Sequence, residues 1–175
     1  MSGIVIRPAT PADAEAIELL TLVAYFDVPG SRHHEHAAIA ALREDGALSL
    51  SLLADHDGYV VGYLAASPAT LSDGSRGWHA IGPLAVGPGH RGHGIAGQLL
   101  RTAQAQLAGL GAAGCLVDAE PGGLWRSTGF SVEPGLTLAS DDVEAGSGRP
   151  LLVHAFGDRL PPLAEVTLHP ALLPP

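Results

Sequence analysis

Ile81–Gln98, IGPLAVGPGHRGHGIAGQ, decides how this chain is read. Ile81 to Val86 is an apolar run of strand length, and Gly87-Pro88-Gly89 cannot continue it. Arg91-Gly92-His93-Gly94 follows, and a helical pattern begins at Ile95-Ala96. Ile95, Leu99, Ala103, Leu107 and Leu110 fall at helical spacings and make one continuous apolar stripe. A strand, a glycine turn and a helix start in succession can aim backbone N–H groups at one point, where the helix dipole also favours negative charge. The turn therefore predicts an anion site, although by itself it also fits an ordinary strand-to-helix connection.

The remaining composition narrows the options. At 175 residues, 46% apolar and 15% charged, the chain suits one compact domain spanning 1–175 and is too apolar for disorder. A formal charge of −9 argues against a nucleic-acid partner, so an anion site has to be local. The sequence contains no lysine and no asparagine, which excludes a Walker lysine and a Schiff-base lysine. Cys115 is the only cysteine, so no intramolecular disulfide forms and a reducing compartment is expected. The start, MSGIVIRPAT, has neither a basic segment nor an apolar core of signal-peptide length, and no run reaches the length of a membrane span. The expectation is a cytoplasmic protein with no membrane partner; a homodimer is compatible with the sequence.

In chain order, Ile4-Val5-Ile6 reads as a strand, and Thr10-Pro11-Ala12-Asp13 as a helix start with a hydroxyl cap, a first-turn proline and an acid. Ala14, Ile17, Leu20 and Ala24 carry that helix to about Tyr25, and a second runs from about His34 to Asp45. Leu48–Leu52 alternates as a half-buried strand, Asp57-Gly58 signals a hairpin, and Tyr59–Ala66 is the return strand. Trp78–Val86 is the next strand, in which Gly82-Pro83 predicts a bulge or an edge position. After the long helix come a short buried strand at Cys115, a brief helix within Glu120–Thr128, and strands at Gly129–Glu133 and Leu151–Phe156. The last two flank a polar loop around Asp141–Gly148, and 157–175, with its paired prolines, reads as an irregular tail. This order predicts an α/β (α+β) domain with a mixed sheet.

Arg91, Gly94 and Ala96, preceded by Leu84-Ala85-Val86 and Pro88, match a signature: Arg or Gln, two residues, Gly, one residue, Gly or Ala. With it the chain resembles the Gcn5-related N-acetyltransferase superfamily. IRPATPADAEAI, ALREDGALSLSLLA, the IGPLAV strand, the W-R-S-T-G-F segment and LHPAL resemble one bacterial branch of predicted N-acetyltransferases, so the resemblance covers nearly the whole chain. It implies a mostly antiparallel sheet with helices on both faces, split in a V between the strands Trp78–Val86 and Cys115–Ala119. It implies acetyl-CoA as co-substrate and a small-molecule amine as acceptor. Leu84, Ala85 and Val86 would then lie along the pantetheine arm, and Arg91, Gly92, His93, Gly94, Ile95 and Ala96 around the pyrophosphate. Members of the family commonly carry a tyrosine shortly before the Gly-Phe pair that protonates the departing thiolate. Here, ahead of Gly129-Phe130, that position is Trp125, which can pack on the cofactor and donate a hydrogen bond but cannot act as an acid. Solvent, Tyr59 or Tyr63 would have to replace it.

His79, early in the strand that carries Leu84, is a candidate base for the acceptor amine and equally a hydrogen-bonded strand histidine; Asp118 and Glu120 are rivals. His33-His34-Glu35-His36 is spaced to point its side chains apart on a helix, so no metal site is expected. Cys115 reads as a buried core thiol. Tyr25–Glu35, Ala69–Trp78 and Asp141–Arg149 are the segments expected to shape the acceptor site. A non-catalytic acyl-CoA-binding or regulatory module on the same fold is the alternative. A Rossmann-type nucleotide domain fits poorly, because the glycine turn follows a third or fourth strand.

Overall fold

Asp13 does in the folded chain what the helix-start pattern predicts: its carboxylate accepts from the Thr10 N–H at 2.7 Å. It also takes two bonds of 2.9 Å from the Arg7 guanidinium, which reaches on to Asp55 at 3.3 Å. The Arg7 hydrogen bonds, above all, hold the Asp13 carboxyl far below the usual carboxylate range. This cluster ties β1 (Val5–Pro8) to the start of α1 (Ala14–Tyr25) and to β2 (Leu50–His56).

The structure, a computed structural model, describes residues 3–31, 33–139 and 150–173. After α1 come α2 (Glu35–Glu44), then β2 and β3 (Tyr59–Pro68), joined by Asp57-Gly58 with φ of 54° and 85° as a tight hairpin demands. β4 (Thr70–Leu71), β5 (Trp78–Val86), α3 (Ile95–Gly109), β6 (Gly114–Val117) and α4 (Gly123–Ser127) follow, then β7 (Ser131–Leu138), β8 (Pro150–Ala155) and β9 (Ala164–Thr167). The strands form one open sheet in the order β1-β2-β3-β5-β6-β8-β7-β9-β4. Only β5–β6 and β7–β9 pair in parallel, so the sheet is mixed and mostly antiparallel.

Alternation along the strands sends side chains to two faces. Leu53, Tyr63 and Ala65 pack against Ile17 and Leu20 of α1 and Ile39 of α2. Leu52, Ala54, Leu64 and Ala66 pack against Ile95, Leu99, Ala103 and Leu107 of the predicted stripe of α3, whereas its fifth member, Leu110, lies past the helix end and is exposed. Gly62 lets α3 come this close: a Cβ there would lie 2.8 Å from Ile95 Cγ2. The helix whose first turn faces the glycine loop is thereby seated on β3.

Two expectations need correction. The segment 157–175 is not irregular throughout: within its described residues β9 pairs with β7, Leu136↔Ala164 to Leu138↔Val166, and with β4 on its other side. Val166 and Leu168 are buried there, and four residues between prolines are too few to show a period. β7 likewise runs to Leu138 rather than stopping at Glu133. The expected Asp141–Gly148 loop lies outside the described residues. Among the described residues, no helix is long and apolar enough to cross a membrane.

Candidate functional site

β5 and β6 pair only from Trp78↔Gly114 to Ala80↔Leu116, and beyond that they part. The cause lies in β5, where Gly82-Pro83 stands opposite the single residue Ala65: Leu64 faces Leu84 and Ala66 faces Ile81. A two-against-one bulge bends its strand, and Pro83 has no N–H to offer a neighbour. Gly82-Pro83 is thus both a bulge and the point where β5 acquires a free edge. Along that edge Leu84 C=O accepts from Tyr25 Oη at 2.9 Å and Val86 C=O from Arg91 Nε at 3.4 Å, whereas Gly87 N–H turns back to Val61 of β3 at 3.0 Å. Strand alternation then points the N–H groups of Leu84 and Val86 out of the sheet as well, available to an extended ligand. Ala85 is buried and faces the other way.

The gap between β5 and β6 is a cleft of about 470 Å³. At one end it meets Ala96, in the first turn of α3, and Leu124 and Trp125 of α4. Gly92 and Gly94 take φ of 80° and 78°, which L side chains rarely adopt, and nothing stands within 4 Å of where their Cβ atoms would be. The N–H groups of the first turn of α3 have no intrahelical partner, and Gly94 at the N-cap has no side chain to satisfy them. Gly92, His93 and Gly94 are exposed, whereas Ile95 is buried against β3 and can offer only its backbone.

Arg91 is placed differently from the simplest reading of the turn. Its guanidinium caps the end of α1 through the Ala24 carbonyl and forms a two-pronged ion pair with Asp27, both distances 3.1 Å. That bond holds the Asp27 carboxyl below its ordinary range. Arg91 therefore clamps the glycine turn to α1 while remaining exposed beside the same turn. His93 Nδ1 lies 3.3 Å from the His90 carbonyl, and His90 meets His56 edge to face.

The rest of the cleft lining is built from distant parts of the chain. Tyr25, Glu35, Leu138, Leu168, Leu172 and Leu173 belong to it. Tyr25 and Glu35 bound a segment expected to shape the acceptor site, though neither was assigned a role of its own; the further signal for Tyr25 was its place on the stripe of Ile17, Thr21 and Ala24, turned toward the sheet. Burial, with a smaller contribution from the Glu35 charge, pushes its phenol up to about 12, so it stays protonated.

The remaining candidates divide clearly. Trp125 does reach the cleft and packs edge to face on Phe130, ring centroids 5.2 Å apart. Tyr59 is 75% exposed on a hairpin, and Tyr63 is buried with its hydroxyl 2.8 Å from Ser51 Oγ, so neither expected substitute acid lies in the cleft. His79 is not in the cleft lining either: its Nδ1 is 2.9 Å from Ser49 Oγ, and the ring borders a separate depression with Pro68 and Arg76. Burial lowers its basicity. Asp118 lines the cleft and is engaged with neighbouring groups, and Glu120 is not part of the lining. Cys115 is buried, its thiol pushed up to about 12. Among the described residues, no three His, Cys, Asp or Glu side chains gather as metal ligands would. The segment Asp141–Arg149 lies outside the described residues.

Comparison with known proteins bears on this arrangement. A family model described as the acetyltransferase (GNAT) family matches residues 15–122. The uncharacterized N-acetyltransferase YhbS of Escherichia coli K12 is 34% identical over 128 residues, 73% of each chain. Among solved structures, a GNAT family acetyltransferase from Brucella melitensis in complex with acetyl-CoA aligns with a TM-score of 0.82 at 34% identity, covering 98% of this chain and 99% of that one. YhbS from Escherichia coli in complex with CoA aligns with a TM-score of 0.85 at 28% identity, covering 98% and 92%.

Proposed function

Because this chain belongs to the acetyltransferase (GNAT) family, we propose that it moves the acetyl group of acetyl-CoA directly onto the amine of a small-molecule acceptor. One observation carries the reading: the free edge of β5 and the uncapped, glycine-led start of α3 open onto the same cleft. An extended thioester arm fits the first and a pyrophosphate the second. Leu84 and Val86 supply the strand edge, with Ala85 between them turned to β3, Arg91 to Ala96 the anion turn, and Trp125 an aromatic wall on the arm. Each is assigned by position and donor type. Gly92 and Gly94 leave room for a close approach, and Arg91, beside the turn, adds a cation once it leaves Asp27.

The chemistry asks little of the protein beyond position. An ammonium first sheds a proton. The neutral amine's lone pair then attacks the thioester carbonyl carbon, the C–S bond breaks as the C–N bond persists, and the nitrogen releases a second proton. The thiolate takes up one proton, so the net products are the N-acetyl amine, CoA and one proton. N–H groups on the edge of β5 suit the developing oxyanion. Tyr25, kept protonated by burial, is the tyrosine that the cleft offers as proton donor to the thiolate, in place of Tyr59 or Tyr63. Trp125 can donate a hydrogen bond but no proton. His79 has no part in this scheme.

We take the chain to act as a single domain in the cytoplasm, consistent with its lone, buried cysteine. The test is CoA release, followed with a thiol reagent against a panel of amines. Turnover with at least one amine supports the proposal, and binding of acetyl-CoA with no turnover removes it. That second outcome is what a non-catalytic acyl-CoA-binding module predicts, a reading favoured by Trp125 in the position where relatives commonly carry their acid.

A further inference from the structure

Glu35 sits in the first turn of α2 and lines the cleft. Its Oε1 accepts from Ser31 Oγ at 2.8 Å, but Oε2 is shut off from solvent and has no hydrogen-bond partner. A carboxylate oxygen withdrawn from water without a donor is unfavourable, and such a group is commonly completed by a ligand. Tyr25 lies close enough for the Glu35 charge to influence its titration, yet its hydroxyl is bonded to Leu84.

The surroundings of Glu35 are apolar and held in place. Leu168, Leu172 and Leu173 come from the segment that follows β9, and Leu138 from the end of β7. A turn within that segment packs on α2, and His169 Nε2 lies 3.2 Å from Asp45 Oδ2 at the far end of the helix. The turn that carries Leu172 thus packs on the helix that carries Glu35. Among the described residues, no Arg or His lines the cleft, and Asp118 is the only other carboxylate that does.

We propose that the acceptor is a monoamine with an apolar body, its ammonium held by Glu35 Oε2 and its body laid on Leu138, Leu168, Leu172 and Leu173. This rests on the acetyl-transfer reading and narrows it. A polyamine or aminoglycoside would bring further cations against a leucine wall, with Asp118, already engaged with neighbouring groups, as the only other carboxylate among the described lining residues. A free amino acid would bring a carboxylate beside Glu35, to a lining that holds no cation among the described residues. An apolar monoamine satisfies the orphan oxygen and buries its body.

The test uses the full chain and acetyl-CoA with phenethylamine, hexylamine, spermidine, an aminoglycoside and a free amino acid. The expected result is a kcat/KM for the two apolar monoamines at least about tenfold above the rest. Glu35→Gln should raise the amine KM about tenfold while leaving the acetyl-CoA dissociation constant and the melting temperature in place, and Glu35→Asp should recover part of the loss. Leu172→Ser should raise the KM for the apolar monoamines alone. Preference for spermidine, the aminoglycoside or the amino acid would overturn the proposal, as would an unchanged amine KM in Glu35→Gln. Should the glutamine variant fail to fold, the wild-type panel and Leu172→Ser decide. Acetyl-CoA binding without turnover of any amine would instead remove the acetyl-transfer reading itself.

Discussion

The two ends of the cleft are made in opposite ways. The α3 end comes from one continuous stretch, β5 through the glycine turn into α3, and offers mostly backbone groups. The Glu35 end draws on α1, α2, β7 and the segment after β9, and offers side chains. Backbone donors on a strand edge and at a helix start suit a ligand that never changes. A wall assembled from distant side chains can be altered without disturbing the sheet that divides the cleft. The split of β5 from β6 is what allows both to meet.

If that division of labour holds, mutations should separate along it. The largest effect is expected from Gly94→Val. A β-branched residue at φ 78° is strained by roughly 1–3 kcal/mol, and its side chain would enter the anion turn. Acetyl-CoA affinity by calorimetry should fall about a hundredfold or more, with the melting temperature only modestly lower. Next, Tyr25→Phe should lower kcat roughly ten- to a hundredfold with acetyl-CoA affinity unchanged. The sign of the pH dependence follows from its raised position: a phenol titrating at about 12 stays protonated, so no loss of wild-type activity with rising pH below about 10 should be traceable to Tyr25. A falling limb near neutrality that vanished in Tyr25→Phe would count against this role.

Gly62→Ala tests the seat of α3. A Cβ placed 2.8 Å from Ile95 Cγ2 should cost about 1–3 kcal/mol in denaturant unfolding and weaken acetyl-CoA by displacing the first turn, with amine selectivity intact. Asp27→Asn tests whether Arg91 is held back from the anion turn. Releasing it should strengthen acetyl-CoA binding about two- to threefold at low salt and less at high salt. The smallest effect is expected at His79, where His79→Gln should leave kcat within about twofold, since the ring lies outside the cleft and is bonded toward Ser49.

The same contrast explains what the amino-acid order disclosed. β5, the glycine turn and α3 were readable because strand length, positive-φ glycines and helical period all lie within one window. Gly82-Pro83 pointed to a bulge or an edge and is in fact both, because the strand changes neighbours along its length. The Glu35 end was hidden for physical reasons. β4 and β9 have two and four residues, too short for a period to show, and proline-rich flanks made 157–175 look irregular. Glu35 sat among three histidines that suggested a polar helix start, and whether an oxygen finds a partner depends on tertiary packing. Arg91 illustrates a further limit: its signature position was legible, but its clamp on Ala24 and Asp27 depends on where α1 ends in space.

The most direct test of the central claim, that both ends serve a single acetyl transfer, is product stoichiometry with an apolar monoamine. CoA released and N-acetyl amine formed would be measured in the same reaction, by thiol titration and mass spectrometry. The buried Cys115 thiol should stay silent toward the reagent in the folded protein. One N-acetyl amine for each CoA released, with amine saturation lost in Glu35→Gln, is the predicted result. CoA released without acetylated amine, or acetyl-CoA bound and left intact, would contradict it.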